Sequence, residues 1–298
     1  MKSILLFCIC VLNFYSVEAI QYDGWAPNYY SSSNQIYISS FLTSGGEILN
    51  GRTMRHNLVY SNQSSINDFL TNDYAYFKQS MYDFQIGIKG KHQIDFSISG
   101  VANNNLYYNE TENISSIPLT IKYHYQLFND KYYFQVAPIA SLLYSRHYYL
   151  FAKSEKMYGY DVTIPISKKI GKHFSFRYNI GLTQFFNYKY NLFGNWNGTI
   201  ETQKRNPVLL KNGLNITYNI KNKWLFFVEA EHRNFNHYYF DTNQIFQSQN
   251  RTKWQRNVGV TYVSNIKKSK LIYSLSVPQF LNKNEMGIIL GVAFQHKY

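Results

Sequence analysis

The sequence predicts an all-β fold, a single antiparallel transmembrane β-barrel of about 12 strands, with 14 as the alternative. Long segments alternate between apolar and polar residues, and short turns join them in pairs. After residue 19, no apolar run approaches the roughly 20 residues of a membrane helix. The alternation is clearest at 285–298, where one apolar face is formed by Met286, Ile288, Leu290, Val292, Phe294 and Tyr298. Small or polar residues dominate the other face, as expected for a strand between lipid and a water-filled lumen.

Residues 1–19 have the features of a secretory signal peptide. Lys2 provides the basic start, residues 4–14 form the apolar core, and Val-Glu-Ala before residue 20 is a small-x-small cleavage site. We therefore expect a cleaved export signal, followed by one barrel domain over residues 20–298. The expected destination is the bacterial outer membrane, because strands that cross a membrane form closed barrels of this kind.

Cysteine usage and composition agree with an exported barrel. Cys8 and Cys10 are the only cysteines, and both lie in the predicted signal peptide. A lipoprotein cysteine at either position is the alternative, although the apolar core before it would be very short. The chain has 29 Tyr and 22 Phe, yet its mean hydropathy is −0.36. Barrels combine these properties because half of each strand faces water while aromatic residues collect at the membrane interfaces.

The net charge of +13 does not indicate a nucleic-acid-binding protein. The basic residues alternate with the predicted strands and form no continuous stripe, and many lie in the short turns, for example Lys89, Lys91, Lys168, Lys169 and Lys172. Two interpretations remain open: these lysines contact anionic lipid headgroups at one rim of the barrel, or they are solvated turn residues. The expected partners are therefore outer-membrane lipids and lipopolysaccharide, with no nucleic acid.

Five short turns divide the chain into hairpins, at residues 89–92, 128–131, 167–172, 219–223 and 265–270. The ten flanking strands are predicted at 82–89, 93–100, 117–127, 132–144, 157–166, 173–188, 207–218, 224–235, 253–264 and 271–277. Residues 34–43 and 285–298 add a strand at each end and make twelve, whereas an extra pair within 44–80 would make fourteen. Longer polar segments near 103–113, 147–156, 189–206 and 238–252 are predicted to be outer loops, opposite short periplasmic turns.

The same alternation places most mid-strand charges inside the barrel. The predicted lumen-lining residues, which form a candidate solute path, are Asp83, Asp95, Lys122, His124, Asp161, Arg177, Lys211, Glu229, Glu231 and Arg233. Two arrangements of these charges are open. They pair across the lumen as a structural plug, or they flank a narrow water path that orients a solute. Few charges fall on the lipid side, where a Lys or Arg would cost about 2–4 kcal/mol.

Nothing in the sequence indicates catalysis, a cofactor or a metal. Glu229 and Glu231 would lie about 6–7 Å apart on one strand face, which can suit acid–base chemistry, but Arg233 can neutralise one of them. The barrel phospholipase pattern, a histidine followed by Ser-Asn-Gly, is absent, and the eight histidines are scattered. We therefore predict that the chain is not an enzyme.

Three stretches carry a resemblance to a known family. YDFQIGIKGKHQIDFSISG (82–100) resembles its early hairpin, and YDVTIPISKKIGKHFSFRYNIGLT (160–183) resembles its central hairpin. The stretch RNVGVTYVSNIKKSKLIYSLSVPQFLNKNEMGIILGVAF (256–294) is similar to its closing strands. The family is the outer-membrane transporter barrels grouped with the MetA phenol-degradation pathway. The resemblance implies a channel for small molecules, including aromatic ones, and supplies no catalytic motif.

These observations favour a passive uptake channel for small solutes, including hydrophobic or aromatic ones. Folding would require the barrel assembly machinery, which recognises a last strand ending in an aromatic residue, and Phe294 and Tyr298 fit that signal. The alternative is a plugged barrel that acts as a surface interaction protein or adhesin. A barrel enzyme that modifies outer-leaflet lipid is a distant third.

Overall fold

The computed structural model describes residues 45–49, 51–67, 73–88, 90–107, 110–129, 134–149, 155–186, 188–192, 201–205, 208–240, 246–280 and 286–298. The predicted signal peptide, residues 1–19, and the predicted strand at 34–43 lie outside these residues. Both remain predictions.

Twelve long strands form one closed antiparallel barrel in this part of the chain. They are β1 (Thr53–Asn67), β2 (Asp73–Ile88), β3 (His92–Tyr107), β4 (Glu110–Tyr125), β5 (Ile139–Tyr149), β6 (Glu155–Ile170), β7 (Phe174–Phe186), β8 (Val208–Ile220), β9 (Trp224–Phe240), β10 (Phe246–Ile266), β11 (Ser269–Phe280) and β12 (Met286–Lys297). Each strand pairs with its neighbours in sequence, and β1 pairs with β12 from Thr53 opposite Lys297 onward.

Two small ribbons accompany the barrel. Phe128–Asn129 pairs with Gln135–Val136 and continues the hairpin between β4 and β5. Tyr188–Leu192 pairs with Glu201–Arg205 in a separate two-stranded sheet, between β7 and β8 in sequence.

The predicted closed barrel of twelve strands is confirmed, and its ring closes without residues 34–43. The ring closes through β1 at Thr53–Asn67, inside the segment 44–80, where the sequence predicts a strand pair only in the fourteen-strand alternative. Residues 61–65, Ser-Asn-Gln-Ser-Ser, are all polar, so this strand shows no period-two alternation in its second half. The strand β2 also begins earlier than predicted, at Asp73.

The strands extend well into the predicted outer loops. β3 continues to Tyr107 and β4 begins at Glu110, so the predicted loop at 103–113 is largely strand. The longest strand, β10, has 21 residues, whereas about 9–11 tilted residues span a membrane. The barrel wall therefore continues past the bilayer at the end opposite the short turns.

Residues with positive φ shape the short turns. Gly90 has φ 71° and Gly171 has φ 64°, a conformation that costs glycine little. Lys221 and Asn222 form the β8–β9 turn with φ of 53° and 55°, and the Asn222 backbone N–H donates to Asn219 Oδ1 at 3.0 Å. This left-handed pair matches the right-handed twist of the strands, which keeps the connection tight.

The two faces of the barrel wall differ as the alternation predicts. Outward-facing residues such as Leu58 and Leu142 are 60% and 67% exposed, which leaves an apolar band around the outside. Inward-facing residues such as Asn57 and Asp95 are fully buried. Among the described residues, no helix is long and apolar enough to cross a membrane.

Candidate functional site

A polar wall lines the inside of β1–β4. Asp95 accepts a hydrogen bond from Gln93 Nε2 at 2.7 Å, and its other oxygen lies 2.9 Å from His124 Nε2. All three side chains are fully buried. Because a buried carboxylate is costly without partners, Gln93 and His124 hold Asp95 in place on the inner face.

A second group, on β1 and β2, belongs to the same wall. Gln85 Nε2 donates to Asp83 Oδ2 at 2.6 Å, and Asn57 Nδ2 donates to the same oxygen at 2.8 Å. Arg55 Nε donates to Gln85 Oε1 at 2.8 Å. The four residues are fully buried, so Gln85 connects the cation to the carboxylate within one network.

Asp161 and Lys211 form an ion pair that crosses a strand. Lys211 Nζ on β8 lies 2.6 Å from Asp161 Oδ2 on β6, and β7 lies between them. Gly181 on β7 is directly opposite Lys211, and a Cβ there would lie 2.6 Å from Lys211 Cε. The missing side chain is what allows Lys211 to reach Asp161, which Thr183 also contacts at 2.6 Å.

Residues 45–49, Gly-Gly-Glu-Ile-Leu, lie inside the barrel, and we call them the inner segment. Its backbone is bound by inward-facing side chains: Gly46 N–H donates to Ser167 Oγ at 2.6 Å, and Leu49 N–H donates to Gln93 Oε1 at 2.7 Å. Gln126 Nε2 donates to Gly46 O at 2.8 Å. These partners are near strand ends at the short turns, so the inner segment occupies that end of the lumen.

Glu47 anchors the inner segment to β7. Its Oε1 lies 3.4 Å from Arg177 Nη2, and Ser167 Oγ donates to its Oε2. Burial raises the pKa of Glu47, but the charge of Arg177 and the Ser167 hydrogen bond outweigh it, so the pKa lies below its usual value. Arg177 Nη1 is held by Asn215 Oδ1 at 3.2 Å and by Thr217 Oγ1 at 3.1 Å.

Another part of the interior is apolar, and we call it the apolar wall. It consists of Val59, Met81, Leu225, Phe227, Val263, Ile272, Ile289 and Ala293, contributed by β1, β2 and β9–β12. Phe227 packs over Gly259, where a Cβ would lie 2.4 Å from Phe227 Cζ. Glycine at 259 therefore leaves the space that the Phe227 ring occupies.

The structure places most of the predicted lumen residues on the inner face. Those buried there are Asp83, Asp95, Lys122, His124, Asp161, Arg177, Glu229 and Glu231. The Lys211 side chain is 21% exposed. The side chain of Arg233 lies outside the described part of the chain, although its backbone pairs with Lys211. Several of these charges pair locally: His124 with Asp95, and Lys211 with Asp161. Their role as a solute path remains a prediction.

Sequence reasoning missed the inner segment and the apolar wall. The inner segment has only five residues and no alternation. The barrel binds it mainly through its backbone groups, so its side chains carry no sequence pattern that would predict its position. The apolar wall could have been found, since Leu225, Phe227 and Ile289 share parity with inward positions on their strands.

The predicted assembly residues lie on the outer face of β12 and at its end. Phe294 is 42% exposed and Tyr298 is 57% exposed, while Tyr298 N–H donates to Arg52 O at 3.0 Å. Their role in assembly remains a prediction. In the part of the chain that the structure describes, no group of His, Cys, Asp and Glu residues could hold a metal ion.

No protein-family model matches the chain, and no curated protein matches it. The translocator domain of the autotransporter NalP from Neisseria meningitidis has a TM-score of 0.57 at 8% identity, covering 85% of this chain and 91% of that chain. An outer membrane channel from Pseudomonas putida F1 has a TM-score of 0.56 at 10% identity, covering 85% and 97%. The NanC porin has a TM-score of 0.50 at 13% identity, covering 80% and 98%. The chain therefore shares the barrel fold of outer-membrane channels, porins and translocators.

Proposed function

We propose that this protein is an outer-membrane channel for passive uptake of small solutes, with the inner segment as its gate. The main support for this proposal is that side chains of the barrel wall hold the inner segment in place. Gln93, Gln126 and Ser167 bind its backbone, and Arg177 binds Glu47. These contacts can break without disturbing the strand ladders, so the segment can move while the barrel stays closed.

The two kinds of inner wall support a solute with both polar and apolar parts. The apolar wall offers buried aliphatic and aromatic surface, including Phe227 and Met81. The polar wall offers paired charges and amides, including Asp95 and Gln85. A small ring that carries one polar group would contact both walls. The resemblance to the MetA-pathway transporter barrels supports the same class of solute.

Export and assembly precede channel activity. We infer that residues 1–19 direct export and are cleaved, and that the assembly machinery recognises the last strand through Phe294 and Tyr298. Outer-membrane lipids and lipopolysaccharide would then surround the apolar band. Such a channel requires no catalytic step, cofactor or metal.

Conductance in a planar lipid bilayer tests the proposal. We expect the full-length mature protein to show small, intermittent current steps, and a variant that lacks residues 45–49 to show larger and longer ones. A variant in which Lys168 and Lys169, exposed residues at the end of β6, are both replaced by glutamine is the control and should resemble the parent. If neither the parent nor the deletion variant conducts ions, the channel proposal is wrong.

Vesicle swelling then tests the solute class. Vesicles that contain the protein should swell faster in a small phenolic solute than in a sugar of similar mass, after correction for swelling of protein-free vesicles. Equal rates for both solutes would contradict the role given to the apolar wall.

One observation favours the second candidate, a plugged barrel that binds a partner at the cell surface. Nearly all described inward side chains are buried, even around Arg55 and Phe227. A barrel whose interior is filled in this way can bind a surface partner without a solute path through it. Absence of conductance in the deletion variant, together with a normally folded barrel, would support this candidate.

A further inference from the structure

A groove of about 610 Å³ lies on the outer surface, over β1–β4 and β12. Its walls are exposed apolar side chains that belong to the lipid-facing band: Leu58, Tyr60, Tyr82, Ile98, Ile117 and Leu290. Its floor contains Ser80 and Gly100, which lie directly opposite each other on β2 and β3. The groove exists because two small residues occupy outward positions where their neighbours carry large side chains.

Neither backbone geometry nor packing within the barrel explains glycine at position 100. Gly100 does not have a positive φ, and a Cβ added there would meet no atom within 4 Å. A glycine inside a strand weakens it, and it often marks a place where a ligand approaches the backbone closely. Gly259 differs, because Phe227 fills the space above it.

The strand ladder is also interrupted beside this floor. Ile98 is opposite Leu119 and Val101 is opposite Ser116, but the two positions between them are not paired. Pro118 lies in this gap on β4 and has no backbone N–H to donate. The groove therefore lies over a part of the wall where the β3–β4 pairing is interrupted. The large side chains around the groove do not cover this part.

We propose that this groove binds one hydrocarbon chain of a membrane lipid. The groove is continuous with the apolar band, so in the outer membrane its surroundings are lipid tails, and its apolar walls offer water few partners. Inside the hydrocarbon layer, the hydrophobic effect does not favour contact of a lipid chain with apolar side chains over contact with other lipid chains. A preference of the chain for this groove must therefore come from close packing. The recess over Ser80 and Gly100 provides that packing, because a chain lying there touches the floor and both walls.

Photocrosslinking tests the proposal with the complete folded protein. The probe is a phospholipid with a diazirine on its acyl chain, in vesicles of phosphatidylethanolamine and phosphatidylglycerol, and mass spectrometry locates the adducts. We expect adducts on the segments that carry Tyr60, Tyr82 and Ile98 to exceed those on the outer face of β9 by roughly threefold. The assay measures lipid contact, so its result does not depend on whether the barrel conducts.

Gly100→Leu fills the groove and should reduce this excess to the level of the rest of the band. Ala230→Leu, at an outward position on β9, is the matched control and should leave it unchanged. Heat-modifiable mobility on gels verifies folding, and Ser80→Leu replaces Gly100→Leu if that variant does not fold. Even labelling around the barrel, or an excess that survives the filled groove, would overturn the proposal. Crosslinks between two copies of the chain through these residues would also overturn it.

Discussion

Glu47 Oε1 lies 3.4 Å from Arg177 Nη2, and this contact joins the inner segment to the barrel wall. Removing the charge should loosen the segment. We expect Glu47→Gln to raise the open probability of the channel by about tenfold, the factor that corresponds to one charge-assisted hydrogen bond. Single-channel recording in a planar bilayer measures it. Lys169→Gln, at an exposed position near the end of β6, is the control, and an equal effect in both would contradict the gate.

The same contact predicts a pH dependence. The pKa of Glu47 in the folded protein lies below its usual value of 4.5. The ion pair therefore contributes its full stability above that value and loses it as the pH falls through the lower folded pKa. We expect conductance to be constant between about pH 5 and 7 and to rise at more acidic pH. The conductance of Glu47→Gln should be the same across this pH range. If its conductance still rises at acidic pH, a group other than Glu47 causes the effect.

Gly259 should tolerate no side chain. A Cβ there would lie 2.4 Å from Phe227 Cζ and 2.7 Å from the backbone oxygen of Leu275. We expect Gly259→Ala to lower the free energy of unfolding by about 1–3 kcal/mol, measured as denaturant-induced unfolding in detergent micelles. Gly100→Ala is the matched control, because its added Cβ meets no atom within 4 Å. Similar stability of both variants would show that Phe227 can move aside freely.

Thiol labelling tests which face of β8 contacts water. Lys211 has a side chain that is 21% exposed and directed to Asp161 inside the barrel, whereas Leu214 lies on the outer face. In a chain without Cys8 and Cys10, Lys211→Cys should react with a water-soluble maleimide in intact vesicles, and Leu214→Cys should not. Faster labelling of Leu214→Cys would reverse the assigned faces of this strand.

The end of β12 allows a test of the assembly signal. Tyr298→Asp should reduce the amount of heat-modifiable barrel in outer-membrane fractions several-fold more than Lys297→Asp. The reason is that Tyr298 continues the outward line of Phe294, whereas Lys297 has the opposite parity. If both variants assemble equally well, an aromatic residue at this end is not required.

Much of the fold could be predicted from sequence, because lipid outside and polar groups inside impose a simple alternation on each strand. The strands on either side of Lys89–Lys91 and of Lys221–Lys223 show it clearly. The alternation does not single out the strand Thr53–Asn67, because residues 61–65 include no apolar residue to alternate with. Strand lengths were underestimated for a similar reason, since the wall beyond the membrane has no lipid to impose the pattern.

The candidate site was harder to predict than the fold. Parity places Asp95 and His124 on one face, but it does not show that Gln93 would bind the backbone of Leu49. Such contacts join residues far apart in sequence. Likewise, no sequence pattern distinguishes Gly181. The structure explains this glycine, because the Lys211 side chain passes over it to reach Asp161.

The pairing of β1 with β12 has a consequence for biosynthesis. The seam joins strands from the two ends of the described chain, so the ring cannot close until the last strand has been made. A chain cut short anywhere before residue 286 would keep an unpaired edge on β1, and unpaired backbone groups are costly in hydrocarbon. Incomplete products would therefore fail to integrate stably and stay open to periplasmic proteases. Closure of the seam therefore requires that synthesis has passed the end of β12.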